Sequence, residues 1–168
     1  MKKKEAHPIK HIEVRPAEES DRTWMRGVIK ARWGEERVVC HGFAYRPAEL
    51  PAFIAQLNGE KTGLLTYHVD HESVEVITID SLKPRLGIGS KLLDAVKEYG
   101  KTMGCKRYWH VTTNDNLNTL RFYQKRGFVL CALHRNTMDL ARKIKPIIPT
   151  MGRDGIPLRD ELELELVL

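Results

Sequence analysis

The sequence predicts an α/β fold in which helices pack on a mixed sheet, and three observations carry that reading. The first half of the chain alternates apolar and polar residues in short runs separated by turn signals, the pattern of an antiparallel meander. After Leu82 the period lengthens, and Ile88, Leu92, Leu93, Val96 and Tyr99 recur at helical spacing. Beyond them the order helix, strand, helix, strand runs to Arg135, and such elements bury their apolar faces by layering helices on a sheet. A chain of 168 residues suits one domain with a sizeable core. Residues 1–168 are therefore read as a single domain with a C-terminal extension from 145 to 168.

In chain order, Ile9 to Arg15 alternates well enough for a first strand that Pro16 closes. Ala17 to Arg32 reads as a helix with Trp24, Val28 and Ile29 on its apolar side, and Ser20 or Asp21 offers an N-cap. Val38 to Tyr45 is weakly strand-like, and Arg46 to Leu50 is a loop. Phe53 to Leu57 and Thr62 to Val69 form a hairpin about Asn58-Gly59. Val74 to Leu82 follows as a strand, then the helix from Ile88, which stops near Gly100 and Gly104. Tyr108 to Thr113 is a strand, Leu117 to Lys125 a short helix, and Phe128 to Arg135 a strand. Prolines and glycines keep Lys145 to Pro157 irregular. Glu161 to Leu168 then alternates strictly and predicts a final edge strand, with its leucines covering a core or a second subunit and its glutamates facing solvent. A cover over the acceptor site and a homodimer surface both fit this extension.

Composition narrows the function. No apolar stretch approaches the roughly 18 to 20 residues of a membrane span, and the N-terminal lysines are not followed by a signal-like run, so no membrane partner or export is expected. Cys40, Cys105 and Cys131 lack the spacing of a disulfide framework or a metal site, which points to free thiols in the cytoplasm and to no metal. Cys105 and Cys131 are expected as buried small hydrophobes. The net charge of +6 would suit nucleic acid or an anionic cofactor. The basic residues are scattered, with no basic helix interleaved with aromatics, so nucleic acid is not expected.

Two motifs carry chemistry. Lys83-Pro84-Arg85-Leu86-Gly87-Ile88-Gly89-Ser90 lies between a strand and a helix. Glycine permits a sharp turn and close approach, and the first amides of the helix can hold phosphate oxygens. By itself the G-x-G is equally a turn that binds nothing. It is neither a dinucleotide fingerprint nor a nucleoside triphosphate loop. Some two dozen residues later come Asn114, Asn116 and Tyr123, the last two about two helical turns apart on one side. A phenol there could give a proton to a leaving thiolate, and an asparagine could cap the helix or pair with an amide ligand.

Taken together, these motifs resemble those of the GCN5-related N-acetyltransferase (GNAT) superfamily, from about Ile12 to Arg135 and most strongly from Glu75 to Phe128. The resemblance implies the acyl-CoA N-acyltransferase fold, a central mixed twisted sheet flanked by helices, here with an extra C-terminal strand. It implies acetyl-CoA as cofactor, held by Ile79, Ser81, Leu82, Arg85, Leu86, Gly87, Ile88, Gly89, Ser90, Asn116 and Tyr123. It also implies transfer of the acetyl group to a primary amine of a small molecule or peptide. Tyr123 takes the place of the general acid and Glu75 that of the general base. One departure stands out: the family's usual glutamine or arginine falls at Pro84, which donates no amide hydrogen bond, and Arg85 is the nearest replacement. Asp80, His68 and His110 are weaker candidates for the base. Glu75 and Asp80 should point to opposite faces of the strand unless a bulge intervenes. Other readings are a CoA-binding regulatory domain without catalysis and a nucleic-acid module.

Overall fold

The computed structural model describes residues 11–168. The beginning of the expected first strand and the lysines at positions 2–4 lie outside the described residues. Nine strands and four α-helices follow in the order β1 (Ile12–Pro16), α1 (Arg22–Trp33), β2 (Val38–Cys40), β3 (Phe43–Tyr45), β4 (Ala52–Leu57), β5 (Glu60–Asp70), β6 (Ser73–Ser81), α2 (Ile88–Thr102), β7 (Arg107–Thr113), α3 (Leu117–Gln124), β8 (Val129–His134), α4 (Thr137–Ile144) and β9 (Glu161–Val167). Seven strands make one sheet in the order β1-β4-β5-β6-β7-β9-β8, and β2 and β3 form a separate hairpin. All pairs in the large sheet are antiparallel except β6 with β7. The mixed, helix-flanked sheet agrees with the fold class expected from the sequence.

The helices bury opposite faces of that sheet. On one side α2 sets Ile88, Leu92, Leu93 and Val96 against Leu65, Val74, Val76 and Tyr108. On the other α1 sets Met25, Val28 and Ile29 against Ile54 and Leu64. The spacing of these residues along each helix, three and four apart, is what aligns them on one face.

Several elements differ from the expectations. The first helix starts later, at Arg22, behind a short 3-10 turn at Glu19–Asp21. Asp21 does not cap it: the buried carboxylate accepts the Glu18 amide (2.9 Å) and pairs with Arg15 (2.7 Å) and Lys61 (2.5 Å). Val38 to Tyr45 is a tight hairpin, with a turn at His41 and Gly42 that alternation does not reveal. Helix α4 is an addition to the elements expected from the sequence; it buries Met138 and Ala141, three apart.

The largest difference concerns β9, which is not an edge strand. It lies between β7 and β8, pairing antiparallel with both, and β8 is the edge. Leu164 is fully buried as expected, but the glutamates do not simply face solvent. Glu163 and Glu165 meet Arg107, Glu163 also meets His134, and Glu161 is buried. Alternation defines the two faces of a strand but says nothing about its neighbours. Cys131 is exposed rather than buried, on the edge strand β8, whose paired residues Val129, Leu130 and Leu133 are exposed as well.

The cationic partners and the Glu18 amide hold the Asp21 carboxyl well below the usual carboxylate range, against the opposing effect of burial. A lowered folded-state pKa adds stability above the unfolded value near 4 and loses it as pH falls below that. Asp21→Asn is expected to cost roughly 2–4 kcal/mol at pH 7, because it leaves a buried network short of its charge. The loss should shrink toward pH 3, as chemical denaturation at the two pH values would show.

Candidate active site

The site begins where β6 and β7 part. Their parallel ladder pairs Ser73–Val76 with Arg107–His110 and goes no further. Beyond it β7 stays in the sheet through β9, while β6 continues only with β5. Peptide groups of β6 from Ile77 onward that point toward β7 therefore have no partner in the ladder. His110 sits at the last rung, where its Nδ1 donates to the Val76 carbonyl (2.9 Å). Burial lowers the His110 pKa to about 4, so the ring is neutral near pH 7.

Two clefts meet at this opening. The smaller, about 350 Å³, is lined by Ile79, Ser81, Pro84, Arg85, Gly87, Ile88, Gly89, Ser90, Thr119, Phe122 and Arg126. It contains most of the cofactor residues expected from the resemblance. Gly87 stands before α2 with φ +82°, a left-handed conformation that costs glycine little. Gly89 lies so close to Phe122 that a Cβ there would come within 3.0 Å of the ring. The first helical amide to be taken up is that of Lys91, by the Gly87 carbonyl (3.1 Å), so the amides of Ile88, Gly89 and Ser90 have no partner within the helix. Free amides, the positive end of α2 and the guanidinium groups of Arg85 and Arg126 suit a phosphate-bearing ligand. Arg126 escaped the sequence reading. It packs over the Phe122 ring (3.6 Å) and donates from Nε to Ser90 Oγ (3.2 Å), and it lies in the turn just after α3, four residues beyond Phe122.

Leu82 and Leu86 line neither cleft: Leu82 is partly exposed, and Leu86 packs toward the core. Asn116 lines the larger cleft and caps α3, its side chain accepting the Thr119 amide (3.3 Å). Tyr123 also lines neither cleft. It is fully buried, stacked on His110 (4.5 Å between centroids) with Phe128 edge-on, and its hydroxyl has no partner among the described residues. Burial pushes its pKa far above that of an ordinary phenol.

The larger cleft, about 910 Å³, shares Ile79, Ser81 and Thr119 with the smaller one and extends beneath α4 and the segment from Lys145 to Leu158. That segment is tied down at both ends. Lys145 Nζ donates to the carbonyls of Trp33 and Arg37 (2.8 Å each), and Asn114 and Asp115 accept the amides of Arg159, Asp160 and Arg153.

Both carboxylates of β6 are on the same side, contrary to simple alternation. The pairing with β5 passes from Val76 to Thr78 and skips Ile77, and this bulge resets the alternation. Asp80 lines the larger cleft and accepts from Trp33 Nε1 (3.0 Å). Glu75 is buried and does not line it; His41 Nε2 covers it at 2.7 Å. His41 was not singled out in the sequence, because only the folded hairpin brings it over β6. Burial disfavours its charge, but the hydrogen bond and charge of Glu75 and the charge of Glu161 outweigh this and raise its pKa above the ordinary imidazole value. His68 pairs with Glu75 across the β5–β6 ladder but is exposed, near Tyr45.

A sheet that opens between two parallel strands beside a glycine turn and an unpartnered helix N-terminus defines an acyltransferase-type scaffold. The chain belongs to the acetyltransferase (GNAT) family, whose sequence pattern matches residues 10–128. Two curated relatives from Bacillus subtilis strain 168 bear no assigned function. The uncharacterized protein YdhI is 39% identical over 137 residues, 81% of this chain and 86% of that one. YxbD is 38% identical over 138 residues, with the same coverage of 81% and 86%. Among solved structures, a Bacillus subtilis acetyltransferase in complex with CoA superposes with TM-score 0.68 at 19% identity, covering 94% of this chain and 99% of that one. A GNAT family acetyltransferase from Elizabethkingia anophelis with acetyl-CoA bound gives 0.67 at 21%, covering 94% and 98%. These two likenesses concern the fold.

Because the Tyr123 hydroxyl is buried without a partner, removing it should not harm folding. Tyr123→Phe is expected to match or exceed the native protein in thermal unfolding, by up to about 1 kcal/mol. A clear drop in melting temperature would reveal a hidden partner.

Proposed function

We propose that this protein transfers the acetyl group of acetyl-CoA directly to a primary amine. The observation that carries the reading is the meeting of the two clefts at Ile79, Ser81 and Thr119, where β6 and β7 part. One cleft suits the phosphates and pantetheine arm of the donor, and the other is open to an acceptor. The donor fits the residues present: Gly87 leaves open space for close approach, and the amides of Ile88, Gly89 and Ser90 are free to hold its pyrophosphate. Arg85 and Arg126 add the charge that Pro84 does not.

In this reading, unpaired amides of β6 beyond Ile77 polarise the acetyl carbonyl. The amine nitrogen bonds to the acetyl carbon, and the carbon–sulfur bond breaks with its electron pair on sulfur. Tyr123 protonates the sulfur, which has to reach the floor of the opening beneath His110. Glu75, being covered, acts through His41, which also lines neither cleft and takes the proton by way of water: with the Nε2 proton turned toward Glu75, Nδ1 is left as the basic nitrogen. Of the two protons the ammonium loses, one passes through His41 to solvent and the other replaces the one given by Tyr123. No metal is needed for these steps.

A panel of amines with acetyl-CoA, followed by free-thiol release, tests the reading; no acceptor-dependent release from any amine would remove it and leave a CoA-binding domain without catalysis. Tyr123→Phe should lower kcat by roughly 10²-fold or more, while CoA affinity by calorimetry stays the same. His41 works as a base only when neutral. Since its pKa is raised, kcat/KM should climb with pH to a plateau reached above the ordinary imidazole range, and His41→Gln should abolish that limb of the profile.

A further inference from the structure

Glu161 is the first residue of β9, opposite Thr113 of β7 and His134 of β8. It is 3% exposed and yet lines the larger cleft. One carboxylate oxygen, Oε1, accepts the His41 amide at 3.1 Å; the other, Oε2, is buried with no partner among the described residues. A carboxylate oxygen taken out of water without a partner is costly, and buried polar groups are almost always paired. The neighbouring charges do not relieve it. Glu75 has His41 Nε2, and no ion pair among the described residues includes Glu161. With His41 protonated, Glu75 and Glu161 still leave one negative charge over.

Other ionisable groups of the cleft are occupied, while Arg32 and Arg153 bring two guanidinium groups to its wall. Asp80 accepts from Trp33, Asp115 accepts from the Arg153 amide and the Thr113 hydroxyl, and Lys145 is held by two carbonyls. The wall is mixed, with polar residues such as Thr112 and Asn116 on one part and an apolar part formed by Val38, Val39, Ile77, Met138, Ile148 and Leu158. A ligand that fits brings one cationic nitrogen for Oε2 and an apolar body for the walls. A second cationic group on the ligand would face Arg32, Lys145 and Arg153 on the same wall.

We infer that Glu161 binds the ammonium group of the acceptor, and that the acceptor class is small primary amines on an apolar, aryl or alkyl body. This rests on the acetyltransferase reading above and names the substrate class of the same site. Glu161 positions the nitrogen beside His41 before its proton is lost; it forms no covalent bond.

The probes are 2-phenylethylamine, a linear polyamine and a free amino acid, each with acetyl-CoA, on the native protein and on Glu161→Gln, which keeps the acceptor for the His41 amide. Phenylethylamine is expected to be the best of the three. The glutamine variant should raise its KM at least about tenfold, the loss of one charge-assisted hydrogen bond, with the KM of acetyl-CoA unchanged. Glu161→Asp, which restores the charge, should recover part of the loss and also serves if the glutamine variant folds poorly. An unchanged KM in Glu161→Gln, or preference for the polyamine or the amino acid, would overturn the inference. So would purified native protein that carries one equivalent of a transition metal, lost in Glu161→Gln, because the free oxygen and the adjacent Cys40, His41 and Glu75 cluster would then be ligands. Calorimetric titration with phenylethylamine in the absence of turnover separates the two levels. If acetyl transfer is not seen at all, the underlying reading fails, while binding that is weakened in Glu161→Gln still upholds Glu161 as the ammonium site, and equal or absent binding refutes it.

Discussion

The site depends on a ladder that ends early. β6 and β7 run parallel and stay paired only through Val76 and His110. If the pairing continued, β6 would use on β7 the peptide groups that an acyl donor needs, and no opening would separate the two layers of helices. Two features keep it open. The bulge at Ile77 turns β6 out of register, and β9 takes up the far side of β7, so that β7 is held in the sheet without β6. The cost is a row of backbone groups with no ladder partner, tolerable where a ligand can supply them. His110 covers one of them with its own ring nitrogen.

The same bulge explains the arrangement of acidic groups. It puts Glu75 and Asp80 on one side of the sheet, and the β2–β3 hairpin folds His41 onto the first while Trp33 binds the second. Glu75 is held by the His41 side chain, Glu161 by the His41 amide, and Asp80 by the Trp33 indole together with Arg32 (3.8 Å). Helix α2 turns its positive end to the smaller cleft, while the larger one carries both acidic and basic groups on its wall.

Much of this was legible in the sequence where local physics decides. The meander, the amphipathic helix from Ile88 and the glycine turn at Gly87 each follow from period or from backbone freedom, and the cap at Asn116 from its side chain. What escaped depends on long-range contact. His41 lies 34 residues before Glu75 and meets it only in the folded hairpin. Glu161 reads as one of three alike glutamates, and nothing local sets it apart from Glu163 and Glu165, which find Arg107. The alternation of β9 was plain, but a strand's pattern holds no record of its neighbours, so its central place could not be read. Nor could the bulge, since Val-Ile-Thr-Ile is compatible with an unbroken strand.

The central place of β9 also bears on how the fold is reached. β7 and β8 are made first but cannot join one another; each must wait for a strand that follows 25 or more residues after β8, with α4 and the irregular segment between them. Until then β8 has no strand partner in the sheet, and Val129, Leu130 and Leu133, which remain exposed even in the finished fold, offer an apolar edge to any passing strand. Assembly of this side of the sheet is therefore non-local and late, and loop closure sets its pace more than helix formation does. The strand that keeps the catalytic opening in place is also the one that ends the molecule's period of greatest exposure to misassembly.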